Sequence, residues 1–351
     1  MSTTASAPHP ESIASPERHI SVAVIGSGYW GKNLTRNFHR AGALAAVCDP
    51  NPAIRADTER QYPGVAVVES LEKVLDRADI TAVAIATPAE THGSIVRQAL
   101  DAGKHVFVEK PFVLNEDEGR ELLGLARTRG LTLMVGHILQ YHPAFLALKD
   151  MVKNGETGTL NYIYSHRLNL GKIRREENIL WSFAPHDISM ILGLSGELPE
   201  TVLCTGGNYL HKDIADVTTT HLTFPSGLRA HVFVSWLHPF KEQKMVVVGE
   251  KSMVVFDDTL PWEQKLAVYD HRITWNGDLP VPTKAEPRYV DIPRDEPLLM
   301  ECRHFIDCIA TGQTPRTDGR EGLRVLRVLN LSQESMDDGS TKRYYDVNGK
   351  K

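Results

Sequence analysis

The sequence predicts an α/β protein in which a doubly wound parallel sheet is followed by an α+β domain with a large, open and mainly antiparallel sheet. Three observations predict this fold. Short apolar runs alternate with helical segments as far as residue 137, a glycine-rich turn follows the first run, and longer segments of alternating apolar and polar residues begin after residue 138. Apolar strands separated by helices are typical of a parallel sheet covered on both faces, whereas alternation is typical of antiparallel sheets.

The first half of the chain repeats a strand-helix unit. Gly42 and Gly103 mark the ends of two of its predicted helices. We predict strands at 21–26, 43–49, 65–68, 81–87, 105–111 and 132–137, and helices at 29–42, 52–62, 70–76, 91–103 and 115–130.

The second half begins with a predicted helix at 142–154. Seven alternating segments follow it, two of them joined by short turns, and they predict the strands of an antiparallel sheet. The segments are LNYIYSHRLNL, ETVLCTGGNYL, TTTHLTF, RAHVFVSWL, QKMVVVGE, SMVVFDD and KLAVYDH. Two helices, at 297–311 and near 319–334, are predicted after the strands.

Length and composition limit the class of protein. A chain of 351 residues is too long for one ordinary core and fits two domains. Its net charge of −5, without a large cluster of basic residues, argues against a nucleic-acid surface. No run of 18 apolar residues is present, so we expect no transmembrane helix and no membrane partner.

The ends of the predicted domains and the cysteines complete this outline. Residues 1–18 are rich in Ser, Ala, Pro and Thr without an apolar core, which indicates a disordered tail instead of a signal peptide. We therefore divide the chain into this tail, a nucleotide-binding domain at 19–137 and a substrate-binding and oligomerisation domain at 138–351. Four scattered cysteines indicate a reduced, cytoplasmic protein. We interpret Cys302 and Cys308 as buried thiols on a helix that also contains His304, and we predict no metal site.

The glycine-rich turn carries the first functional signal. Gly26, Gly28 and Gly31 form a GxGxxG pattern between a predicted strand and a predicted helix. Such glycines allow a tight turn and a close approach of the backbone to a pyrophosphate, which the amino-terminal end of the helix then binds. The sequence therefore predicts a dinucleotide cofactor.

Asp49 carries the choice between the two nicotinamide cofactors. It ends the second strand, 18 residues after Gly31. A carboxylate there accepts hydrogen bonds from the ribose hydroxyls and repels a 2′-phosphate, which favours NAD over NADP. Two alternatives remain open at this point: Asp49 as a turn former before Pro50, and Arg55 as a partner for a 2′-phosphate.

Three segments carry a resemblance to a known family. AVIGSGYWG, ATPAETHGSIVRQALDAGKHVFVEKPF and His186 with DISMI are similar to the glucose-fructose oxidoreductase, inositol dehydrogenase and rhizopine catabolism (Gfo/Idh/MocA) family. The resemblance covers nearly all of the chain after residue 18. It implies a Rossmann domain, an open-sheet domain and NAD(P)-dependent oxidation or reduction of a sugar or cyclitol hydroxyl.

The resemblance also implies roles for individual residues. Lys110 would be a catalytic lysine preceding a cis proline, Thr87 and Pro88 would line the nicotinamide side of the cleft, and Glu109 would contact the cofactor. The alternative for Lys110 is a surface lysine paired with Glu109. The expected cofactor contacts are Gly26, Gly28, Tyr29, Trp30, Gly31, Asp49, Thr87, Pro88, His92, Glu109 and Lys110.

His186 is the second predicted catalytic residue, at a helix expected to begin around Pro185. The family usually has an Asp four residues before this His, and here that residue is Ser182. A serine hydroxyl is not a base at neutral pH, so Lys110 and His186 would carry the acid–base work alone, or Asp187 would assist. The alternative for His186 is a packed or capping residue.

The expected substrate contacts lie in the second domain. The segment 165–181 places Arg167, Lys172, Arg174 and Arg175 around one glycine. Such a basic loop suits a phosphate-bearing substrate, and a solvated loop neutralised by glutamates is the alternative. His142 is either a substrate contact or a helix cap. The predicted substrate residues are Gln140, Tyr141, Arg167, Arg174, Trp181 and His186.

The segment NLGKIRREENILWSFAPHDIS is similar to family members that oxidise the 3-hydroxyl of UDP-N-acetylglucosamine. We therefore expect oxidation of this sugar nucleotide to a 3-keto sugar in amino-sugar biosynthesis. The alternatives are an inositol or free-sugar dehydrogenase, an NAD-dependent glycosidase and a non-catalytic NAD-binding sensor. The resemblance implies pairing through the open sheet, in a homodimer or homotetramer.

Overall fold

The computed structural model describes residues 20–346, so the predicted tail at 1–18 lies outside the described residues. The first sheet has the strand order β3-β2-β1-β4-β5-β6 with all pairs parallel, as predicted. Its order reverses between β1 and β4, which is where sheets of this kind bind ligands, at the carboxyl ends of the strands. Its strands are β1 Val22–Ile25, β2 Leu44–Cys48, β3 Ala66–Val68, β4 Ala82–Ile85, β5 His105–Glu109 and β6 Leu133–Gly136.

Helices follow these strands within two or three residues of the predicted limits. Two of them begin at capping side chains that the sequence shows: Asn51 accepts from the main-chain N–H of Ala53, and Asn115 accepts from those of Asp117 and Glu118. The helices are α1 Gly31–Arg40, α2 Pro52–Gln61, α3 Leu71–Leu75, α4 Ala89–Asp101 and α5 Glu116–Thr128.

The second half forms the predicted open sheet, in the order β16-β13-β12-β11-β7-β10-β9-β8-β17. Its pairs are antiparallel except for β7 with β10, which run parallel, so the sheet is mixed. Its strands are β7 Leu160–Leu168, β8 Thr201–Gly207, β9 Val217–Thr223, β10 Arg229–Ser235, β11 Glu242–Gly249, β12 Met253–Asp257, β13 Leu266–Tyr269, β16 Arg288–Tyr289 and β17 Arg343–Tyr344.

Helices cover one face of this sheet and leave the other open. These helices are α6 Pro143–Lys153, α7 Ile179–Ser195 and α9 Gly319–Asp337, whereas α8 Pro297–Thr311 packs on the first sheet. On β7, Ile163 and Ser165 are buried beneath them, whereas Tyr162, Tyr164 and His166 alternate onto the open face. The open face is aromatic, and the ring of Tyr164 stacks on that of His231 of β10. Such a face is typical of an interaction surface.

The last two long helices return to the first sheet. Phe305 of α8 packs edge-on against Phe38 of α1 and Phe107 of β5. On α9, Leu326 belongs to the core of the first sheet, and a Cβ added at Gly322 would lie 2.7 Å from the side chain of Val135. The predicted second domain thus contributes two helices to the packing of the first sheet, which places their side chains beside the cleft.

A hairpin that the alternation did not predict projects from the second half. Its strands are β14 Arg272–Asn276 and β15 Leu279–Thr283, and all ten residues are exposed. One face carries Ile273 and Trp275 opposite Pro282 and Pro280. Because proline lacks an N–H, these two residues limit strand addition at the edge of β15.

Candidate active site

The glycine loop forms the tight turn that the sequence predicts. Gly26 has a φ of +83°, which a side chain disfavours. A Cβ on Gly31 would lie 1.9 Å from the carbonyl oxygen of Gly26, so the close packing of the turn excludes any side chain there. A Cβ on Gly28 would meet nothing within 4 Å, so this backbone is open to a ligand. No side chain caps α1 and no acidic residue lies in its first turn, which leaves its amino-terminal end suited to an anion.

Asp49 joins this loop to the end of β2. Its Oδ2 accepts from the N–H of Ser27 at 2.9 Å, and its Oδ1 accepts from the N–H of Asn51 at 2.9 Å. The second bond is the turn role considered as an alternative, and Asp49 fills it while remaining beside the glycine loop. Arg55 donates to the carbonyl oxygens of Asp49 and Pro50, so its guanidinium is directed at the main chain.

The end of β4 contacts the same loop. A Cβ on Gly26 would lie 3.1 Å from Cγ2 of Thr87, and Pro88 precedes the first residue of α4. His92 is buried, with Nδ1 2.8 Å from the carbonyl oxygen of Pro111 and Nε2 3.0 Å from that of Thr87. The ring therefore lies between the Pro111 turn and the end of β4, where its single N–H donates to one of the two carbonyl oxygens, and this buried position does not match the expected cofactor contact of His92.

Glu109 and Trp30 connect β5 to the glycine loop. The indole N–H of Trp30 donates to Oε1 of Glu109, and the main-chain N–H of Lys110 lies 3.3 Å from Oε2. Burial raises the pKa of Glu109 to about 7, although the bond from Trp30 and the charge of Lys110 act in the opposite direction. The carboxyl group is thus held by the protein beneath the exposed rings of Tyr29 and Trp30.

Lys110 lies beyond the end of β5, and the Lys110–Pro111 bond is cis, which confirms that expectation. Its Nζ donates to the main-chain carbonyl oxygen of Ser182 at 2.9 Å. Burial lowers the pKa of Lys110, and the negative charges of Glu177 and Glu109 oppose this shift. The alternative of a surface lysine is wrong, because the side chain extends into the cleft between the two sheets and is held by α7.

His186 lies within α7 instead of at its start. The helix begins at Ile179 because the side chain of Asn178 accepts from the N–H of Trp181 and caps it, so the start expected around Pro185 is wrong. Burial, followed by the positive charges of Lys110 and Arg167, holds the pKa of His186 well below its usual value. A neutral imidazole near the amine of Lys110 is suited to accept a proton.

Asp187 faces away from this pair. Its Oδ2 accepts from Nε of Arg167 at 2.8 Å, its Oδ1 accepts from Nη2 of Arg167 at 3.2 Å, and Ser165 donates to Oδ1. Asp187 is thus a buried structural partner and does not assist Lys110 and His186. The fork of Arg167 is largely occupied, so Arg167 acts on the site mainly through its charge, which lowers the pKa of both catalytic candidates.

The predicted basic loop lies across the cleft. Nη1 of Arg174 is 3.1 Å from Glu177, and both charges act on Lys110. Two residues earlier in the loop, Nζ of Lys172 lies 5.6 Å from the ring centroid of Tyr29 in the glycine loop. The loop therefore lies between the glycine turn and Lys110, and Glu177, one of the glutamates of the alternative, neutralises Arg174 in part.

Three residues that we expected to contact the substrate are instead bonded within the protein interior. The amide of Gln140 donates to the carbonyl oxygen and hydroxyl of Ser189 in the interior. The hydroxyl of Tyr141 is 2.9 Å from Thr317, in the core of the first sheet. The indole N–H of Trp181 donates to Gln333 on α9, and its ring packs between the two cores. These residues lie at the junction of the two sheets, where packing outweighs their polarity.

Three more residues lie in this region. One is His142, and the other two, His137 and Glu321, were missed by the sequence interpretation. Nδ1 of His142 accepts from the N–H of Ala144, which confirms the capping alternative. His137 follows β6 directly, and its Nε2 lies 3.4 Å from Oε2 of Glu321 on α9. The position of His137 after a predicted parallel strand was a signal for this site, whereas the sequence contains no sign that α9 reaches it.

A cavity of about 530 Å³ adjoins the glycine loop between α1 and α2. Its lining includes Gly28, Tyr29, Lys32, Arg36 and Asp57. Its size suits part of a small-molecule ligand. Together with the open backbone at Gly28 and the uncapped start of α1, it fits the phosphate and nucleoside portion of a dinucleotide.

Residues 20–346 contain neither a metal-binding cluster nor a membrane-spanning helix. Among residues 20–346, no group of three or more His, Cys, Asp or Glu side chains is arranged to hold a metal ion. The thiols of Cys302 and Cys308 are buried on α8. None of the helices in that range has the length and apolar character needed to cross a membrane.

The parallel sheet, the glycine turn and the cleft with its half-buried lysine define a nicotinamide-dependent oxidoreductase with two domains. Comparison with known proteins agrees. Residues 20–137 match the model of the oxidoreductase family with an NAD-binding Rossmann fold, and residues 145–255 match the GFO/IDH/MocA C-terminal domain. The chain belongs to the Gfo/Idh/MocA family.

Individual relatives are distant. The chain is 29% identical to a UDP-N-acetylglucosamine 3-dehydrogenase of Acidithiobacillus ferrooxidans, over 88% of this chain and 94% of the relative. It is 25% identical to an inositol 2-dehydrogenase of Rhizobium meliloti, over 90% and 97%. A solved structure of the Acidithiobacillus ferrooxidans enzyme GnnA superposes with a TM-score of 0.80 and 26% identity, covering 92% of this chain and 99% of that one.

Proposed function

We propose that this protein oxidises the 3-hydroxyl of UDP-N-acetylglucosamine to a 3-keto sugar with NAD. The observation that carries the proposal is the half-buried Lys110, whose amine is held by α7, whose charge acts on His186, and on which charges of the basic loop act. The relative from Acidithiobacillus ferrooxidans supports the choice of substrate. At 29% identity this likeness suggests the substrate, and the assay described below tests it.

Lys110 and His186 would carry the acid–base work. Burial lowers the pKa of both groups, and the positive charges of Lys110 and Arg167 act in the same direction on His186. A lowered pKa favours the neutral form of each group, which is the form that accepts the hydroxyl proton. NAD, when bound, accepts the hydride from the oxidised carbon. The Ser182 carbonyl orients the Lys110 amine, and this orientation contributes to the rate because the base need not be positioned during the reaction.

The basic loop would bind the diphosphate of the substrate. Arg174 is half-exposed, and Glu177 occupies only one of its nitrogens at 3.1 Å. A guanidinium has five N–H donors, so the remaining donors can bind phosphate oxygens in pairs. Lys172 stacks on Tyr29 near the glycine loop, so its charge lies close to where the cofactor's phosphates would bind.

The loop that contains Gly26, Gly28, Tyr29, Trp30 and Gly31 would hold the cofactor, with Thr87, Glu109 and Lys110 near its nicotinamide. We propose NAD as the cofactor because the carboxylate of Asp49 is beside this loop and repels a 2′-phosphate.

We further propose that the protein is a cytoplasmic homodimer or homotetramer. The aromatic open face of the second sheet and the exposed β14–β15 hairpin support self-association. Four buried, unpaired thiols support a reducing compartment. Light scattering of the purified protein tests the assembly, and a monomer at micromolar concentration would contradict it.

A substrate screen tests the function. The purified protein is incubated with NAD and either UDP-N-acetylglucosamine, UDP-glucose, scyllo-inositol or N-acetylglucosamine, and NADH formation is followed at 340 nm. We expect NADH with UDP-N-acetylglucosamine and little with the free sugar. K110A should reduce turnover by about 10² to 10⁴ while NAD binding persists, and the exposed K153A should match the wild type.

Oxidation of an inositol is the second candidate. The inositol 2-dehydrogenase of Rhizobium meliloti aligns over 90% of this chain, so its similarity extends over both sheets. NADH with scyllo-inositol but not with UDP-N-acetylglucosamine would favour this candidate. Consumption of a glycoside without accumulation of NADH would instead favour a reaction that recycles its cofactor, and NAD binding without turnover would favour a sensor.

A further inference from the structure

His137 lies beside the catalytic lysine because of strand register. Glu109 of β5 pairs with Gly136 of β6, so the next residues, Lys110 and His137, leave the sheet side by side at its carboxyl edge. His186 approaches from α7, and the charge of Lys110 acts on both imidazoles. His137 is thus the third nitrogen base of the site, and the mechanism outlined above leaves it unused.

On its far side, His137 faces a carboxylate. Its Nε2 is 3.4 Å from Oε2 of Glu321, whose Oε1 accepts a hydrogen bond from the hydroxyl of Ser189. Ser189 in turn accepts from the amide of Gln140 at 3.1 Å. The main-chain N–H of Glu321 donates to Asp318 at 2.9 Å, which fixes the start of α9 and the position of the carboxylate. The pair is therefore held from three elements.

His137 is the more deeply buried member of this pair. The His137 side chain is 3% exposed and that of Glu321 is 15% exposed. Within residues 20–346, Nδ1 of His137, on the ring edge away from Glu321, and Oε2 of Glu321 are buried without a hydrogen-bond partner, because the 3.4 Å contact between Nε2 and Oε2 lacks hydrogen-bond geometry. Buried polar atoms without a partner are rare in folded proteins and call for an explanation. Here both atoms belong to the pair that lies next to Lys110.

The protonation states suit transfer of a proton. Burial raises the pKa of Glu321 to about 7, so this carboxyl both takes up and releases a proton near neutral pH. Burial and the charge of Lys110 lower the pKa of His137 to about 3, so the ring stays neutral and can donate at one nitrogen while it accepts at the other.

Several charged groups lie around this pair. The charge of Lys110, at the end of β5, acts on His137, and His137 in turn acts on His186 of α7. Glu109 of β5 and Arg167 of β7 act on Lys110. On the outer side, the charges of Asp318, Lys149 and Arg324 act on Glu321, and the buried Glu301 of α8 is coupled to both Glu109 and Glu321.

We propose that His137 and Glu321 form a proton relay that carries the substrate's hydroxyl proton from Lys110 to solvent. The relay rests on the proposed dehydrogenase function. The carbinol C–H bond breaks and its hydride reduces NAD, while the O–H proton passes to the Lys110 amine and the carbonyl forms. The ammonium group then gives its proton to Nδ1 of His137, Nε2 gives one to Glu321, and Glu321 releases it to solvent. Both residues act through Lys110 and so are positioning residues for the reaction.

The experiment compares H137F, which keeps an aromatic ring without its nitrogens, and E321Q, which keeps the carboxyl shape, with the control H304F on α8. The kcat for UDP-N-acetylglucosamine is measured from pH 6 to 9, with and without added imidazole, and thermal unfolding and NAD affinity are recorded. We expect kcat to fall at least about tenfold in both variants with unchanged NAD affinity. Imidazole should restore part of the loss in H137F.

The pH profile separates a relay from a structural effect. In the wild type, kcat should fall as the pH drops through about 7, because Glu321 must be ionised to accept the proton, and E321Q should lose this limb. Glu109 titrates in the same range. Loss of the fall in kcat in E321Q therefore assigns this fall to Glu321 and not to Glu109. Wild-type profiles in both variants, or a loss of kcat with an unchanged profile and no imidazole rescue, would overturn the relay. If H137F does not fold, E321Q decides the question.

Failure of the proposed substrate is recognised separately. If the wild type oxidises scyllo-inositol but not UDP-N-acetylglucosamine, the substrate proposal is wrong and the same variants test the relay with scyllo-inositol. If the wild type oxidises either substrate and both variants equal it, the relay is wrong and the dehydrogenase function stands. If no substrate gives NADH, the proposed function and the relay are overturned together.

Discussion

The amine of Lys110 is held by the main-chain carbonyl oxygen of Ser182, at 2.9 Å, and not by a side-chain carboxylate. Family members usually have an aspartate where this chain has Ser182. A carbonyl oxygen orients the amine without the full negative charge that would favour its protonated form. Lys110 therefore keeps a pKa that burial lowers, and the base stays available at a lower pH than it would beside an aspartate.

Substituting Ser182 by aspartate tests this relationship. S182D adds a negative charge near Lys110, so the lysine pKa should rise. The pH at which kcat reaches half of its maximum should then increase by on the order of one pH unit. The kcat profile between pH 6 and 10 measures the shift. S182N has the same size without the charge and is the matched control. Identical profiles for S182D and S182N would contradict the assignment of Lys110 as the base.

Two glycines of the same turn should respond differently to alanine. G31A places a methyl group 1.9 Å from the Gly26 carbonyl oxygen, so the loop must shift and the free energy of unfolding should fall by about 1–3 kcal/mol. G28A places its methyl group in open space, so stability should change by less than about 0.5 kcal/mol.

The affinity for NAD is the second property that we expect to change, and it should change in G28A. The G28A methyl group occupies the space where the backbone would approach a pyrophosphate, so the Kd for NAD should rise at least about tenfold, a cost of about 1.4 kcal/mol. Denaturant unfolding and quenching of tryptophan fluorescence by NAD measure the two effects. Unchanged NAD affinity in G28A would place the cofactor elsewhere.

Arg174 distinguishes a sugar nucleotide from a free polyol. Removing its guanidinium in R174A should raise the KM for UDP-N-acetylglucosamine about tenfold or more, because hydrogen bonds to charged groups contribute about 1.5–3 kcal/mol. The kcat should change little because Arg174 is distant from the reacting carbon in this proposal. R303A, an exposed arginine on α8, is the control. An unchanged KM for the sugar nucleotide would remove the basic loop from substrate binding.

Glu109 makes stability depend on pH. Its folded pKa of about 7 lies above the ordinary value of 4.5, so between these values the folded protein binds a proton that the unfolded chain has released. Stability from Glu109 is therefore present at low pH and is lost as the pH rises from 4.5 to 7. Relative to E109Q, the free energy of unfolding of the wild type should fall by up to about 3 kcal/mol across this range.

Urea unfolding of both proteins at pH 5 and pH 8 measures this difference, and other titrating groups cancel because both proteins contain them. E59Q, an exposed glutamate of α2, should show no such dependence. If the difference between wild type and E109Q is the same at both pH values, the carboxyl of Glu109 is ionised in the folded protein.

Local patterns predicted most of the secondary structure. The parallel strands, the helices between them and the later helix α8 at 297–311 follow from apolar periodicity, and two of the helices between the strands also begin at caps that are read directly from the sequence. The limits of α7 did not follow, since Pro185 suggested a start that the cap at Asn178 overrides. The β14–β15 hairpin was missed because both of its strands are fully exposed and two prolines interrupt the second.

Some residues of the candidate site could likewise be predicted from the sequence, and others could not. The sequence by itself determined the glycine turn, Asp49 at the end of β2 and Lys110 at the end of β5, because each depends on the few residues around it and on the rule that parallel strands end at one edge. It also determined, through similarity, the family and its class of reaction.

Only the tertiary structure decided which side chains face the cleft. Gln140, Tyr141 and Trp181 turn into the junction of the two sheets, His92 lies against the Pro111 turn, and the main-chain carbonyl of Ser182 accepts from Lys110. Glu321 reaches His137 from a helix that begins 182 residues after it. Contacts at such separation depend on how whole elements pack, and local sequence carries no record of that packing.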